Sequence, residues 1–286
     1  GRQWHVQRFC NGPQMLLVHG TGASTHSWRH LMPLLADRFD VCAIDLPGHG
    51  FTDALPAAAM TVPGMAHALH GVLREIGFVP RVIAGHSAGA AIMVRASLDG
   101  LFADAHQLIA INGALLPFGG IASRFFSPVA KLAALNPFTP RLFAWRAESL
   151  AAVERVITGT GSKIDEDGLK FYARLFRSPY HISAALSMMA GWDLEGFLDE
   201  MARLTCPLSL IACGNDLAVP ADSAFRVADR VAAARVTFLR GLGHLAHEEQ
   251  PAEIFETFMN ILQAERGTER AGGQHVLGET GAVAKG

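Results

Sequence analysis

The sequence is poor in cysteine, tyrosine and charge. Its 286 residues include four Cys and two Tyr, and charged residues make up 17% of the chain. The cysteines form no CxxC pair, so we expect neither a disulfide framework nor a cysteine metal site. No apolar run approaches the roughly 18 residues that span a bilayer, and no signal-peptide pattern opens the chain. We therefore expect a cytoplasmic protein without a transmembrane segment.

The net charge is small. The 24 Lys and Arg residues nearly balance the 26 Asp and Glu residues, which gives a formal charge of −2. This balance gives no electrostatic footprint for nucleic acid or for an anionic membrane. Half of the residues are hydrophobic, a proportion that excludes a disordered chain and favours a globular enzyme with a buried sheet.

Short apolar runs that end in turn signals alternate with segments of helical spacing. This alternation is typical of α/β proteins, in which helices cover both faces of a mostly parallel sheet. The predicted strands are 4–9, 15–19, 41–44, 82–84, 108–111, 208–212 and 236–239. The predicted helices between and after them are 27–38, 62–76, 88–98, 221–233 and 252–263.

The stretch 114–203 has no strand signal over about ninety residues, which is too long for a simple crossover. We predict an inserted helical cap there, a core domain formed by 1–113 and 204–265, and a flexible glycine-rich tail at 266–286. The acidic run Asp165-Glu166-Asp167 predicts the start of a cap helix that buries Leu169, Tyr172 and Phe176.

The predicted cap holds 12 of the 23 aromatic residues, and residues 113–147 include four basic residues but no acidic one. One interpretation is that the aromatic residues pack the cap onto the core. The other is that they line a pocket for a large flat ligand with carboxylates. The candidate lining residues in the cap are Phe118, Phe125, Phe143, Trp145 and Trp192.

The strongest motif is Gly85-His86-Ser87-Ala88-Gly89, which lies between a predicted strand and a predicted helix. A chain that turns so sharply from strand to helix has room only for tiny residues beside the serine. The motif therefore predicts that Ser87 is a nucleophile at the carboxyl edge of the sheet.

A serine hydroxyl becomes an effective nucleophile when a base removes its proton, and an acid must orient that base. Asp216 follows the strand 208–212, and His244 follows the strand 236–239. Both side chains are thus expected at the same edge as Ser87, with Asp216 as the acid and His244 as the base. His247 and Asp45 are rival candidates, but His247 fits the start of the final helix and Asp45 fits a turn cap.

Acyl transfer also requires hydrogen-bond donors that face the negative oxygen of the intermediate. The candidates are the backbone N–H of Ala88 and that of Thr21, which lies in the HGTG motif at 19–22. His19 and His86 adjoin these donors, and a scaffold role is favoured for each over acid–base chemistry. Trp28 is a candidate pocket residue or a core residue.

Metal chemistry has little support in the sequence. The histidine pairs 67/70 and 244/247 have i,i+3 spacing, but no third ligand accompanies either pair. We expect no metal site and no cofactor.

These motifs together resemble the α/β-hydrolase superfamily from about residue 4 to about residue 263. The matching segments are HG at 19–20, DLPGHG at 45–50, GHSAG at 85–89, GNDLAVP at 214–220 and GLGHLAHEEQP at 241–251. The resemblance implies the α/β-hydrolase fold, with a mostly parallel central sheet, helices on both faces and an inserted helical cap. These motifs are not specific for a substrate.

Further segments resemble the magnesium-chelatase accessory proteins of bacteriochlorophyll biosynthesis in photosynthetic bacteria. They are HGTGASTHSW at 19–28, GHSAGAAI at 85–92, INGALLPFGG at 111–120 and FSPVAKLAALNPFTPRLFAWRA at 126–147. This resemblance implies a role near magnesium insertion into protoporphyrin IX. The sequence has no GxxxxGK[ST] loop, so this chain cannot supply the ATPase of the chelatase.

Two functions of different classes follow from these patterns. As an enzyme, the protein would form an acyl-enzyme at Ser87 from a small ester, thioester or amide, and water would release it. As an accessory protein, it would hold a magnesium-porphyrin intermediate, with Arg124 or Arg146 pairing to propionates, and magnesium-chelatase subunits would be partners. The three matched groups favour the enzyme, since a carrier does not need them.

Overall fold

The computed structural model describes residues 1–9, 11–117, 136, 138–147 and 149–276. The described strands are β1 (Val6–Phe9), β2 (Gln14–Val18), β3 (Asp40–Ile44), β4 (Val82–His86), β5 (Gln107–Ile111), β6 (Leu208–Cys213) and β7 (Ala234–Leu239). They form one sheet in the order β1-β3-β2-β4-β5-β6-β7, in which only β1 runs antiparallel to its neighbour. All seven predicted strands are confirmed, with ends that differ by at most two residues.

Helices connect the strands and form the region predicted as the cap. Those of the core are α1 (Leu31–Ala36), α2 (Val62–Glu75), α3 (Ala88–Leu98), α9 (Asp222–Ala228), α10 (Ala246–Glu249) and α11 (Pro251–Val276). Those within 114–203 are α4 (Thr139–Arg146), α5 (Leu150–Thr158), α6 (Glu166–Phe176), α7 (Pro179–Ala190) and α8 (Phe197–Met201), which we call the cap helices. None of the helices in the described ranges is both long and apolar enough to cross a bilayer.

Both faces of the central strands are buried. Leu16 and Val18 on β2 join the core cluster that includes α2 and α3, whereas Met15 and Leu17 join the cluster that includes α1 and α11. Successive side chains of a strand point to opposite faces. A strand buried on both faces therefore has a continuous apolar sequence, which is why these strands are recognisable in the sequence.

Three helices differ from their predicted lengths, and one of them, the predicted helix 221–233, already ends at Ala228 as α9. The predicted helix 27–38 is divided into a 3-10 turn, Thr25–Trp28, and α1. Pro33 explains the division, because its missing N–H is tolerated in the first turn of a helix but not in the interior. At the other end of the chain, the backbone stays helical through Val276, so part of the predicted tail 266–286 continues α11, and residues 277–286 lie outside the described ranges.

The acidic start of α6 agrees with the prediction. The carboxylate of Asp165 accepts a hydrogen bond from the Gly168 N–H at 2.6 Å, which satisfies a free donor of the first turn. Tyr172 is buried, and Leu169 and Phe176 pack against the same cluster. This cluster also contains Leu245 of the core, so α6 packs directly beside the loop that follows β7.

Strand order determines which loops meet. β2 lies beside β4, and β6 lies beside β7, and all four run parallel. Their carboxyl ends therefore lie at one edge of the sheet, where open α/β sheets bind their ligands. The HGTG loop is placed next to the Ser87 turn, and the Asp216 loop is placed next to the His244 loop.

Candidate active site

Ser87 lies at the turn between β4 and α3. Its φ of +50° and ψ of −116° fall in a region that residues with a side chain rarely adopt. A Cβ at Gly89 would lie 2.2 Å from the Val18 carbonyl oxygen, and one at Gly85 would lie 2.6 Å from the Ala90 nitrogen. Both glycines are therefore required by close backbone contacts around the strained serine.

Asp216 and His244 are in direct contact. His244 Nδ1 lies 2.7 Å from Asp216 Oδ2, while Asp216 Oδ1 accepts hydrogen bonds from the N–H groups of Ala218 and Val219, each at 2.8 Å. The Asp216 side chain has no exposed surface. An imidazole that donates its Nδ1–H to a fixed carboxylate keeps Nε2 as its proton-accepting nitrogen.

Within the described ranges, neither the Ser87 hydroxyl nor His244 Nε2 forms a hydrogen bond with another residue. Contacts between a nucleophile and its base are commonly long in the absence of substrate. The geometry thus gives an oriented imidazole and a strained serine on two loops at one edge of the sheet.

The rival residues have other surroundings. His247 is fully buried with its ring 4.4 Å from that of Trp28 and 4.6 Å from that of His86, and it has no hydrogen-bond partner among the described residues. Burial lowers its pKa well below the usual histidine value. Asp45 accepts hydrogen bonds from the backbone N–H of Thr25 at 2.7 Å and of Phe51 at 3.0 Å, which is the turn-capping arrangement that was expected.

The HGTG loop packs against the Ser87 turn. A Cβ at Gly20 would lie 2.9 Å from His86 Nδ1 and 3.0 Å from Ser87 Cβ, so a side chain there would push the two loops apart. The backbone N–H groups of Thr21 and Ala88 donate to no residue in the described part of the chain. Free donors on two adjoining loops are what an oxyanion site requires.

His19 and His86 serve as scaffold groups. His19 donates from Nδ1 to the Gly20 carbonyl at 2.8 Å and accepts at Nε2 from the Leu46 N–H at 2.8 Å, which fixes a neutral tautomer. His86 donates from Nε2 to the His244 carbonyl at 2.9 Å. Burial lowers the pKa of both rings, so each is a neutral hydrogen-bonding group.

Sequence reasoning missed Asn112, which links the two loops of the His–Asp pair. Its Nδ2 donates to the carbonyl oxygens of Gly243 and His244, each at 3.0 Å, and its Oδ1 accepts from the Cys213 N–H at 3.0 Å. Its φ of +46° is a conformation that asparagine tolerates better than most residues. Its place directly after a buried strand was the only available signal.

His181 on α7 was also missed. Its Nε2 donates to the Gly22 carbonyl at 3.1 Å, and its Nδ1 accepts from the Gly50 N–H at 3.2 Å. Burial lowers the pKa of His181 to about 4, so the ring is neutral and can both donate and accept. A cap helix therefore holds the HGTG loop in place.

The candidate pocket residues do not form one group. Trp28 is fully buried in the core cluster on the α1 and α11 face, so it is a core residue rather than a pocket wall. Trp145 is 65% exposed, and Trp192 packs half-buried against the opposite core cluster. Phe118 and Phe125 lie outside the described residues, as does the side chain of Phe143.

Metal ligands are not clustered in the described part of the chain. No group of three or more His, Cys, Asp or Glu side chains there could hold a metal ion. Cys213 is a buried free thiol, and Cys206 Sγ donates to the Ala105 carbonyl oxygen at 3.3 Å. The chemistry that the site residues themselves offer is proton transfer and nucleophilic attack.

Comparisons with known proteins show which proteins this chain is similar to. A family model described as "Alpha/beta hydrolase family" matches residues 15–257, a range that contains both predicted oxyanion donors, Ser87, Asp216 and His244. The "Magnesium-chelatase 30 kDa subunit" of Rhodobacter capsulatus is 35% identical, over 83% of this chain and 82% of that protein. The "Pyrrolizixenacetamide deacetylase" of Xenorhabdus hominickii is 28% identical, over 89% and 92%.

A solved structure extends the agreement to the fold. An alpha/beta hydrolase fold protein from Burkholderia ambifaria superimposes with a TM-score of 0.74 at 25% identity, and the match covers 91% of this chain and 94% of that chain. The match therefore extends over nearly the whole of both chains.

Proposed function

Because the chain belongs to the alpha/beta hydrolase family, we propose that it is a serine hydrolase that transfers an acyl group from an ester, thioester or amide to water. The observation that carries the proposal is the 2.7 Å contact between His244 and Asp216, on loops at the sheet edge where Ser87 adopts its strained turn. A carrier protein has no need for an imidazole oriented by a buried carboxylate.

In the first half of the proposed reaction, His244 Nε2 takes the proton of the Ser87 hydroxyl while Oγ bonds to the acyl carbon. The oxygen of the tetrahedral intermediate accepts hydrogen bonds from the N–H groups of Thr21 and Ala88. The protonated His244 then gives its proton to the leaving group, and the bond between that group and the acyl carbon breaks. Asp216 remains ionised and stabilises the imidazolium.

In the second half, water enters and His244 removes one of its protons. The resulting hydroxide attacks the acyl carbon, a second tetrahedral intermediate forms, and the bond to Ser87 Oγ breaks. His244 returns the proton to Ser87, and the carboxylic acid leaves. The enzyme is restored with no cofactor consumed.

The similarity to the Rhodobacter capsulatus chelatase subunit supports a place for this reaction in or near magnesium-porphyrin and bacteriochlorophyll biosynthesis. In this proposal the substrate is a small molecule of that pathway, such as a magnesium-porphyrin intermediate. Magnesium-chelatase subunits are the proposed protein partners.

We expect a fluorophosphonate probe to form one covalent adduct with the native protein, because the probe phosphorylates an activated serine. Intact-protein mass spectrometry measures the adduct and its rate of formation. Ser87→Ala abolishes the adduct, and His244→Gln slows it by about 10³-fold or more, since the base is lost.

Ser183→Ala is the matched control, because Ser183 is exposed on α7. This variant is expected to react at the native rate. An absence of any adduct with the native protein, or an adduct that persists in Ser87→Ala, would contradict the proposed nucleophile.

The chelatase similarity also favours a second candidate, a non-catalytic tetrapyrrole-binding accessory protein that assists magnesium chelatase. The cap sequence fits such a ligand, because residues 113–147 contain four basic residues and no acidic one. Under this alternative the cap holds the macrocycle, and propionate groups pair with arginine.

The alternative predicts that protoporphyrin IX or its magnesium form binds at micromolar protein with a shifted Soret band and quenched tryptophan emission. Trp145→Phe identifies the share of quenching that comes from the exposed Trp145. A flat titration removes the alternative. In a strain that lacks the gene, rescue of pigment synthesis by Ser87→Ala favours binding, and failure to rescue favours chemistry.

A further inference from the structure

A three-residue segment between α5 and α6, Thr160-Gly161-Ser162, touches both loops of the His–Asp pair. We call it the cap bridge. The carbonyl oxygen of Thr160 accepts hydrogen bonds from the N–H of Leu217 at 3.1 Å and from the N–H of His244 at 3.4 Å. The hydroxyl of Ser162 accepts from the N–H of Leu245 at 2.8 Å. The bridge thus binds the main chain of the base, of the residue after it, and of the residue after the acid.

Close packing reinforces these hydrogen bonds. Gly161 has a φ of +85°, and a Cβ there would lie 1.8 Å from the carbonyl oxygen of Asn215, the residue before the acid. A Cβ at Gly243, the residue before the base, would lie 2.3 Å from the carbonyl oxygen of Gly161. The bridge therefore fits between the two loops only because glycine occupies both positions.

The cap bridge is also anchored on its far side. Tyr172 of α6 donates to Glu248 at 2.7 Å, and Arg29 of the core lies 2.8 Å from Asp165, which caps α6. Ser162 itself is fully buried. The segment between α5 and α6 is thus held by the acid and base loops on one side and, through α6, by Arg29 and Glu248 on the other.

We propose that the cap bridge is a positioning element for the His244–Asp216 pair. The hydrogen bond of this pair depends on the separation of two loops, and misplacement of a reacting group by about 1 Å can cost about 100-fold in rate. Through these contacts the segment between the cap helices α5 and α6 contributes to the orientation of His244 by Asp216. The catalytic consequence rests on the proposed hydrolase function, whereas the geometric claim does not.

Gly161→Ala tests the proposal, with Gly196→Ala as its matched control. Both glycines have a positive φ, of +85° and +73°, but only Gly161 has atoms in the way of a Cβ. Both variants therefore introduce backbone strain, but only Gly161→Ala adds a steric clash with the carbonyl oxygen of Asn215 in the loop that carries Asp216. Two quantities are measured in the full-length protein: the low-field NMR resonance of the His244 Nδ1 proton, and the rate of fluorophosphonate labelling at Ser87.

We expect Gly161→Ala to lose or shift the low-field resonance and to label about 100-fold more slowly. Gly196→Ala keeps the resonance and labels within about twofold of the native rate. Ser162→Ala removes one hydrogen bond without adding a clash, so it shifts the resonance and slows labelling about fivefold. This milder variant decides the question if circular dichroism shows that Gly161→Ala is unfolded.

A folded Gly161→Ala protein with the native resonance and the native labelling rate would overturn the inference. If Gly161→Ala does not fold, a Ser162→Ala protein with the native resonance and labelling rate would overturn it instead. If the native protein forms no adduct at all, the proposed hydrolase function fails and the NMR resonance alone decides the role of the bridge. The two failures are thus distinguishable.

Discussion

Polar side chains beside the candidate site bind the main chain of its loops. His19, His86 and Asn112 are all buried, and each uses a ring or amide nitrogen to bind a carbonyl oxygen on the HGTG loop or on the loop after β7. A buried polar group that lacks a partner costs free energy, so each of these bonds fixes one loop conformation. The position of His244 therefore depends on residues that take no part in proton transfer.

Asn112→Asp is expected to loosen the loop that carries His244. The substitution keeps the oxygen that accepts from Cys213 but removes the donor shared by the carbonyl oxygens of Gly243 and His244. The buried Gly243 carbonyl loses its donor, whereas the His244 carbonyl keeps the one from His86, so the free energy of unfolding falls by about 2 kcal/mol. Fluorophosphonate labelling of Ser87 slows about tenfold. Urea denaturation and labelling kinetics measure the two effects.

Asn260→Asp makes the same chemical change at an exposed position on α11, where surface substitutions usually alter stability by less than about 0.5 kcal/mol. If Asn112→Asp unfolds and labels as this control does, Asn112 does not hold the His244 loop.

At the scale of elements, local sequence predicted most of the sheet. The central strands are buried on both faces, so each appears as an apolar run that needs no knowledge of its neighbours. The Ser87 turn was also predictable. Its glycines are required because the backbone of the adjacent strand and helix leaves no room for a Cβ. Both signals are readable from neighbouring residue types along the chain, although Gly89 makes its close contact with Val18 of β2.

Contacts between distant segments could not be predicted in the same way. The cap bridge contacts the loops of Asp216 and His244 through the Thr160 carbonyl oxygen and the Ser162 hydroxyl. It fits between them because Gly161 has no side chain. Asn112 meets Gly243 and His244 only because β5, β6 and β7 are neighbours in the sheet. These contacts depend on tertiary packing, so no pattern of residue spacing in the sequence predicts them.

The choice between His244 and His247 shows what local sequence predicts and what depends on contacts between distant segments. Both lie in GLGHLAH at 241–247, and the sequence favoured His244 because Gly243 fits a tight turn. The structure adds the contact with Asp216 and shows His247 packed between Trp28 and His86. The position of His244 in a tight turn could be predicted from the adjacent glycine, whereas the surroundings of His247 could not.

At the scale of the whole molecule, a buried acid joins the cap helices to the core. The carboxyl group of Glu248 on α10 contacts the Arg29 guanidinium and accepts a hydrogen bond from Tyr172 on α6 at 2.7 Å. Arg29 also lies 2.8 Å from Asp165, at the start of α6. Burial raises the pKa of Glu248 to about 7, although Arg29 acts in the opposite direction. The attachment of α6 therefore includes a group that titrates near neutral pH.

Glu248→Gln is expected to change how stability depends on pH. The folded protein keeps a proton on Glu248 up to about pH 7, whereas the unfolded chain releases it near 4.5. Between these values the folded state binds more protons, so the stability that Glu248 contributes is present below 4.5 and is lost as the pH rises through 7. The free energy of unfolding of the native protein, relative to Glu248→Gln, should fall by about 3 kcal/mol across this window.

Urea denaturation of both proteins at several pH values from 4.5 to 8 measures this difference, in which the other titrating groups cancel. Glu256→Gln is the matched control for the substitution itself, since Glu256 is exposed on α11. A difference that stays constant, or that grows in favour of the native protein as the pH rises, would show that Glu248 is ionised throughout. The ion pair with Arg29 would then outweigh burial, and the junction between α6 and the core would be insensitive to pH.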